Sequence, residues 1–318
     1  MSHAAGHRSH DQSHRQLPPP RVEELRPGVF AYVQPDGSWW LNNPGFVVGR
    51  SLMLSVDTCA TARRTTAYLD AVETRAGRIP NVVVNTHHHG DHTNGNCLLP
   101  AATIVGHRRC REEMLRSGIL RPDGIFEPVE WGDLVPAPPV VTFEERLDIW
   151  VDDVLVELQH FGTAAHTTND VVAWLPEQRV LFAGDLVFNG GTPFFLMGSA
   201  AGMLLALDRL AELEAEVVVP GHGEPCGPEV LATVGEYVRF VQEWAGETHA
   251  KGMSPLEAAG AADLGPFAGL TDPERLAGNL HRAYAEIEGA RPGTDIDLLG
   301  AFSDMVAFNG GRPLRCLA

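Results

Sequence analysis

A strand-like run of β-branched residues leads directly into a cluster of histidines, in the segment VVVNTHHHGDHTNGN at residues 82–96. Four side chains of this segment follow the spacing His-x-His-x-Asp-His, namely His87, His89, Asp91 and His92. Neutral imidazole and carboxylate groups are ligands that suit zinc or iron. Because the chain turns where a strand ends, alternate side chains can converge there on one point. The segment therefore predicts a metal site at the end of a buried strand, with His88 pointing away from it.

Three further ligand-type side chains lie where other predicted strands end or begin. They are His166 in HFGTAAHTTND, Asp185 at the end of an apolar strand in LFAGDLVF, and His222 in VVVPGHGEP. A lone histidine or aspartate in a loop is usually a cap or a satisfied polar group. These three become candidates because they occur together, in this order, after the histidine cluster.

Hydrophobic periodicity divides the chain into three parts. Residues 1–24 hold four histidines, few apolar side chains and three consecutive prolines, which is typical of a disordered tail. A role for these histidines in collecting metal is left open. Residues 25–249 alternate strand-like and helical segments and predict an α/β catalytic domain, including a helix that ends at Gly77. Residues 250–318 are mostly helical and are predicted to pack on that domain as an extension.

The charge balance and the apolar segments exclude some partners. The chain has 24 lysines and arginines against 41 acidic residues, a formal net charge of −17. Such a surface repels nucleic acid and anionic lipid. No apolar run approaches the roughly 18 residues of a membrane span, and the first 25 residues lack the apolar segment of a secretory signal. Five cysteines without a Cys-x-x-Cys pair suit a reducing compartment. We therefore expect a cytoplasmic protein that binds neither nucleic acid nor membrane.

The sequence resembles the metallo-β-lactamase superfamily over about residues 28–245. Five motifs carry the resemblance in family order: VDT, HHHGDH, GTAAH, AGD and PGHG. The resemblance implies a four-layer αβ/βα sandwich with metal ions in a cleft along one edge. It also places Asp57, of VDT, among the family's buried aspartates behind the metal loop. As an alternative, Asp57 is the N-cap of the helix that follows.

The resemblance further implies a ligand set and a mechanism. His87, His89 and His166 would hold one metal ion, Asp91, His92 and His222 a second, and Asp185 would bridge them. Two zinc ions, or iron or manganese, about 3.5–4 Å apart would share a hydroxide that attacks a thioester or ester carbonyl. Asp91 and Asp185 are accordingly the predicted catalytic carboxylates.

Departures from subfamily patterns narrow the expected activity. Zinc β-lactamases usually carry a non-bridging residue where this chain has Asp185, and flavo-diiron proteins have a glutamate in place of His89. Nucleases of the superfamily insert a large domain before the last histidine, whereas here only 37 positions separate residues 185 and 222. These departures leave hydrolysis of small molecules in the manner of glyoxalase II, acyl-homoserine lactonases and related thioesterases.

Two segments resemble an actinobacterial subgroup that includes cyclase/thioesterases of aromatic polyketide biosynthesis: GDLVFNGGTPFFLMGS and GNLHRAYAEIEG. The resemblance implies an acyl thioester as substrate, borne by an acyl carrier protein. Phe194, Phe195, Met197 and His281 are the predicted substrate contacts. The alternative for the apolar run from Phe194 to Met197 is that it is ordinary core. The alternative for His281 is that it lies on the surface of its helix.

The same seven ligands are compatible with two further functions. A glyoxalase II-like hydrolase or lactonase would use them, and so would a metal-dependent binding protein without turnover. The densest basic group for docking an acidic carrier protein consists of Arg108, Arg109 and Arg111. The alternative is that these residues form only the solvated face of a helix. A second copy of the chain, forming a homodimer, is the other expected partner.

Overall fold

A computed structural model describes residues 17–318 of the chain. The strands are β1 (Arg21–Arg26), β2 (Val29–Val33), β3 (Gly45–Val48), β4 (Met53–Val56), β5 (Val82–Asn85), β6 (Thr103–His107), β7 (Val141–Phe143), β8 (Arg146–Val151), β9 (Val154–Gln159), β10 (Val172–Leu175), β11 (Val180–Asn189) and β12 (Val217–Gly223). The α-helices are α1 (Ala62–Ala76), α2 (Gly90–Thr93), α3 (Arg108–Ser117), α4 (Ala200–Ala211), α5 (Glu229–Ala250), α6 (Pro255–Ala261), α7 (Arg275–Ile287) and α8 (Leu298–Phe308). Two short 3₁₀ helices cover Asn94–Leu98 and Gly265–Phe267.

The strands form two sheets. The first has seven strands in the order β1 to β7, antiparallel from β1 to β4 and parallel from β4 to β7. The second has five strands in the order β12-β11-β10-β9-β8, antiparallel except for the parallel pair β11/β12. The parallel strands β4, β5 and β6 end at the same edge of the first sheet, so the loop after β5 begins at that edge.

The main core between the two sheets is built from β-branched and other apolar side chains of both. Val47, Leu54 and Val84 of the first sheet belong to the same buried cluster as Leu158 and Phe182 of the second. Near-continuous apolar strands of this kind are expected where both faces of a sheet are covered.

Helices cover the outer face of each sheet. On the first sheet, Tyr68 and Val72 of α1 pack against Phe30 and Phe46. On the second, apolar residues of α4, α5, α7 and α8 form one large cluster with the outer face of β10 and β11. The layers are therefore helix, sheet, sheet, helix, and the predicted αβ/βα sandwich is confirmed.

Helix α1 begins and ends at residues with clear capping roles. The side chain of Thr61 accepts a hydrogen bond from the backbone N–H of Arg64, which makes Thr61 the N-cap. Gly77 adopts φ 72° at the end of the helix, a left-handed conformation that glycine reaches without a Cβ clash. The predicted end at Gly77 is confirmed, and the alternative that Asp57 caps this helix is wrong.

The predicted tail ends earlier than residue 24. Strand β1 begins at Arg21 and pairs with β2. Its Leu25 packs against the core between the two sheets, and its Val22 packs against the apolar cluster that contains Tyr68 and Val72 of α1. The four tail histidines, at positions 3, 7, 10 and 14, lie outside the described residues.

The C-terminal residues are helical, as their periodicity predicts. Helix α5 ends at Ala250; α6 and α7 pack against α5, and α8 packs against α6 and α7. All five cysteines are free thiols in the part of the chain that the structure describes. Between residues 17 and 318, no helix combines the length and the apolar character needed to cross a membrane.

Candidate metal centre

Seven histidine and aspartate side chains from five segments meet at one end of the two sheets. The loop after β5 and the short helix α2 supply His87, His89, Asp91 and His92; the β9–β10 loop supplies His166; and strands β11 and β12 supply Asp185 and His222. Their ligand atoms form two groups, and within each group all atoms lie within 4.8 Å of one another. These are the seven side chains that the sequence analysis predicted as metal ligands.

One ligand lies at an unexpected place in its strand. Asp185 lies inside β11, which continues to Asn189, and not at the end of the strand. The pairing of β11 with β12 is irregular around Gly184, which has φ 52°. This irregularity re-aims the side chain of Asp185 toward the site, a common effect of a bulge.

The first group contains three histidines and Asp185. Nδ1 of His89 lies 3.1 Å from Nε2 of His87 and 2.9 Å from Nε2 of His166. Oδ2 of Asp185 lies 3.9 Å from Nε2 of His87 and 3.4 Å from Nε2 of His166. Three imidazole nitrogens and a carboxylate oxygen therefore face a common point.

The second group contains Asp91, His92 and His222. Oδ2 of Asp91 lies 3.2 Å from Nε2 of His222 and 3.6 Å from Nε2 of His92. Asp185 also reaches this group, because its Oδ1 lies 3.1 Å from Nε2 of His92 and its Oδ2 lies 3.4 Å from Nε2 of His222. The carboxylate of Asp185 thus contacts both groups, as a bridging ligand would.

Two buried atoms support a metal ion in this place. Nε2 of His92 and Oδ1 of Asp185 form no hydrogen bond with any of residues 17–318, although they are only 3.1 Å apart. Buried polar atoms without a partner cost free energy. Three carboxylates, those of Asp57, Asp91 and Asp185, are also buried here, and buried charges are normally paired or bound to metal. The residues present therefore fit a dinuclear metal site.

A second layer of contacts holds the ligands from behind. Nδ1 of His92 lies 2.7 Å from Oδ2 of Asp57, and Nδ1 of His166 lies 2.6 Å from the carbonyl oxygen of Phe194. Such partners fix the tautomer and the ring orientation of a ligating histidine. Asp57 therefore stands behind the metal loop, as the resemblance implied.

Thr86 belongs to this layer and was missed by the sequence analysis. Its backbone N–H donates to Oδ1 of Asp57, its hydroxyl donates to Oδ2, and the hydroxyl also lies 3.1 Å from Nδ1 of His87. The available signal was a small hydroxyl residue directly before the histidine cluster.

His88 belongs to neither ligand group. Its Nδ1 lies 3.0 Å from the amide nitrogen of Asn169, and burial lowers its pKa to about 4. A neutral ring that accepts a hydrogen bond from Asn169 gives His88 a packing role, in line with the prediction that it points away.

Burial and the neighbouring carboxylates shift the pKa values of the site's histidines in opposite directions. Burial lowers the pKa of His87 and His89 well below the usual histidine range, which favours the neutral form that binds metals. Burial also opposes the charged form of His222, but Asp185 and Asp91 outweigh it and raise its pKa to about 9. Binding of a metal ion to the second group is therefore expected to displace a proton.

The predicted substrate contacts differ in burial and in their distance from the metal ligands. Phe195 is fully buried and belongs to the apolar core cluster, as the core alternative expects, and its role as a substrate contact stays a prediction. Phe194 is 5% exposed and packs edge-on against Trp39, 5.1 Å between ring centres. Only Met197 of this run is half-buried beside the ligands, with its sulfur 3.2 Å from Nε2 of His89.

His281 is likewise not brought to the ligands. Its Nε2 lies 2.7 Å from Oδ2 of Asp304, so the imidazole joins α7 to α8. This contact satisfies the ring at the helix pair and gives no support to the predicted role in substrate binding.

Known proteins resemble this chain in sequence and in fold. A hydroxyacylglutathione hydrolase from Methylococcus capsulatus is 32% identical over 48% of this chain and 50% of its own. A second, from Rhodospirillum rubrum, is 31% identical over 43% and 45%. The chain thus spans about half the length of the curated relatives that it matches. The solved metallo-β-lactamase from Pontibacter korlensis superposes with a TM-score of 0.58 at 20% identity, over 70% of this chain and 99% of that one.

The family assignment follows from the matched region together with the geometry above. Residues 56–222, more than half of the chain, match the metallo-beta-lactamase superfamily, and this region begins beside Asp57 and ends at His222. It contains all seven candidate ligands. The chain belongs to the metallo-β-lactamase superfamily.

Proposed function

We propose that the protein is a metal-dependent hydrolase that cleaves the thioester of a small acyl compound, in the manner of the hydroxyacylglutathione hydrolases that it resembles. One observation carries the proposal: the carboxylate of Asp185 contacts both groups of ligand atoms. A shared carboxylate is what a pair of metal ions requires of the protein. Two such ions would supply a water of lowered pKa and a Lewis acid for a carbonyl oxygen.

The chain's own residues would hold this pair and leave one side open to substrate. Asp57 and the carbonyl group of Phe194 fix His92 and His166 from behind. On the other side, His89 is half-buried and the side chain of Asp91 is 12% exposed. An acyl group would therefore approach past these two residues and Met197.

The more specific proposal of a cyclase/thioesterase for aromatic polyketides has less support. Its substrate pocket relied on the run from Phe194 to Met197 as a wall, and most of that run is core. The basic group proposed for a carrier protein is also engaged: Arg108 forms an ion pair with Glu144, and Arg111 donates to the carbonyl oxygen of Pro139. A carrier-protein partner and a homodimer remain predictions.

Metal analysis and a substrate comparison test the proposal together. Purified protein reconstituted separately with zinc, iron or manganese is expected to retain close to two ions per chain, measured by elemental analysis. It should then hydrolyse a hydroxyacyl glutathione thioester, and a chelator should abolish this activity. The chelated protein, restored with each metal, is the matched control.

Each contrary outcome favours a different function. Retention of at most about one ion after reconstitution would leave the dinuclear mechanism unsupported. Two ions without turnover of any thioester, ester or lactone would favour a binding protein. Preference for an aryl or polyketide-like thioester in a direct competition would restore the cyclase/thioesterase proposal, and opening of a homoserine lactone without thioester cleavage would favour a lactonase.

A further inference from the structure

The sulfur atom of Met197 lies 3.2 Å from Nε2 of His89. The other nitrogen of this ring, Nδ1, faces the ligand atoms of His87 and His166 at 3.1 and 2.9 Å. A neutral imidazole carries its proton on one nitrogen and offers the lone pair of the other. When Nδ1 binds a metal ion, Nε2 must carry the proton, and the thioether sulfur is the acceptor in front of it.

We propose that Met197 is a positioning residue for His89, whose thioether accepts the Nε2–H and so keeps Nδ1 directed at the first group of ligands. The inference rests on the proposed metal-dependent function. In most metal sites this outer partner is a carboxylate, a backbone carbonyl or water. A sulfur acceptor is weaker, so its geometry depends on how firmly the protein holds it.

Helix α7 fixes the backbone on which Met197 is carried. The side chain of Asn279 accepts a hydrogen bond from the backbone N–H of Phe195 at 3.0 Å. The buried guanidinium of Arg282 donates from Nε to the carbonyl oxygen of Leu196 at 2.9 Å. These two contacts hold the residues directly before Met197, so the C-terminal extension reaches the metal site through this segment.

Gly198, the residue after Met197, is also closely packed against neighbouring backbone. A Cβ atom at Gly198 would lie 1.8 Å from the carbonyl oxygen of Ala165, next to the ligand His166. The backbone therefore passes too near the β9–β10 loop for any side chain. Since Phe194 accepts from His166, the short segment 194–197 supports two of the three histidines in the first group.

Substitution at Met197 tests the inference with metal affinity as the readout. Met197→Leu keeps the size and apolar character but removes the acceptor, whereas Met197→Gln offers an amide oxygen at a similar reach. Met253→Leu, at another half-buried methionine, is the control. The two zinc dissociation constants are measured by competition with a chromophoric chelator, and melting curves of the metal-free proteins report on folding.

In Met197→Leu we expect one of the two dissociation constants to rise about tenfold, with the metal-free melting curve unchanged. Met197→Gln should restore most of the affinity, and Met253→Leu should match the unmodified chain. Unchanged affinity in Met197→Leu, or equal weakening in the leucine and glutamine variants, would overturn the positioning role. If the unmodified chain retained none of zinc, iron and manganese, the proposed function would fail as well, so the two failures are distinguishable.

Discussion

Oδ2 of Asp57 lies 2.7 Å from Nδ1 of His92, at the side of the ring opposite the ligand atom Nε2. Among residues 17–318, Asp57 accepts three hydrogen bonds, the other two from the backbone N–H and the hydroxyl of Thr86. It adopts φ 61° and is buried. The strained backbone and the filled acceptor sites indicate that its task is to fix the tautomer of His92.

Asp57→Asn is expected to weaken metal binding more than it weakens folding. Asparagine has the same size and tolerates the left-handed conformation. Its amide nitrogen, however, would face the Nδ1–H of His92 as a second donor, so His92 would move its proton to Nε2 and lose that atom as a ligand. We expect metal affinity to fall by about 10- to 100-fold, measured by elemental analysis after dialysis.

Asp70→Asn is the matched control, because the same chemical change then falls on the exposed face of α1. Full metal content in Asp57→Asn would show that Asp57 does not fix His92. Loss of metal in both variants would point to the altered net charge as the cause.

Thr61→Ala tests whether Thr61 stabilises helix α1 without contributing to metal binding. Since Thr61 is the residue that caps α1, its loss should lower the free energy of unfolding by about 1 kcal/mol and leave metal content unchanged. Urea unfolding of the metal-free protein measures the effect. Thr66→Ala, on the exposed face of the same helix, should instead raise the free energy of unfolding slightly, because alanine has the higher helix propensity. An equal loss in both variants would contradict the capping role.

The ligands could be predicted from the sequence because their signal is local. The cluster at residues 87–92 follows the end of β5, His166 lies in the loop after β9, and His222 lies near the end of β12. Apolar periodicity locates such strand ends well. Tertiary detail was not available in this way. The partner of Met197 is 108 positions away in the chain, and the irregular pairing that re-aims Asp185 depends on the neighbouring strand.

The role of the FFLM run could not be decided by composition either. Phe195 and Met197 are both apolar and only two positions apart, yet one is core and the other lies beside His89. The direction of each side chain is set by α7, whose contacts at Phe195 and Leu196 join parts of the chain more than 80 positions apart.

Asp185→Asn should abolish most turnover while the fold is retained. The amide keeps the shape of the side chain but removes the charge that both ligand groups share. We expect a loss of activity on the order of a hundredfold or more, with metal-free melting curves similar to those of the unmodified protein. Wild-type turnover in the variant would remove the bridging role from Asp185.

The free energy of unfolding is expected to fall in mild acid because of His107. Its Nδ1 accepts a hydrogen bond from the backbone N–H of Arg109 and thereby caps α3. Burial, with help from His160 and Arg109, lowers its pKa to about 4 from an ordinary 6.5. The unfolded chain therefore binds a proton at higher pH than the folded one, so the stability contributed is present above pH 6.5 and is lost toward pH 4.

His107→Asn tests this contribution, because asparagine is an effective N-cap that does not titrate. Urea unfolding at pH 7 and pH 5 should show a smaller loss of stability in the variant than in the unmodified chain. The same loss in both proteins would show that other groups cause the acid sensitivity.

Gly221→Ala is expected to disturb the metal site through one close approach. A Cβ atom at this position would lie 1.9 Å from Oδ1 of Asp185 and 2.9 Å from its backbone nitrogen. The carbonyl oxygen of Gly221 also accepts from the backbone N–H of Asn43 at 2.8 Å, so the strand cannot move aside freely. The carboxylate of Asp185 must then rotate away from the ligand groups.

We therefore expect Gly221→Ala to retain less metal than the unmodified chain and to lose activity with it, as measured by elemental analysis and thioester hydrolysis. Gly246→Ala supplies the control, because its new methyl group in the C-terminal part of α5 meets nothing within 4 Å among the described residues. That change should leave metal content intact and raise the free energy of unfolding by about 0.5–1 kcal/mol. Full metal content in Gly221→Ala would show that the carboxylate of Asp185 can turn and still bind the metals. The close approach of Gly221 to Asp185 would then not be required for metal binding.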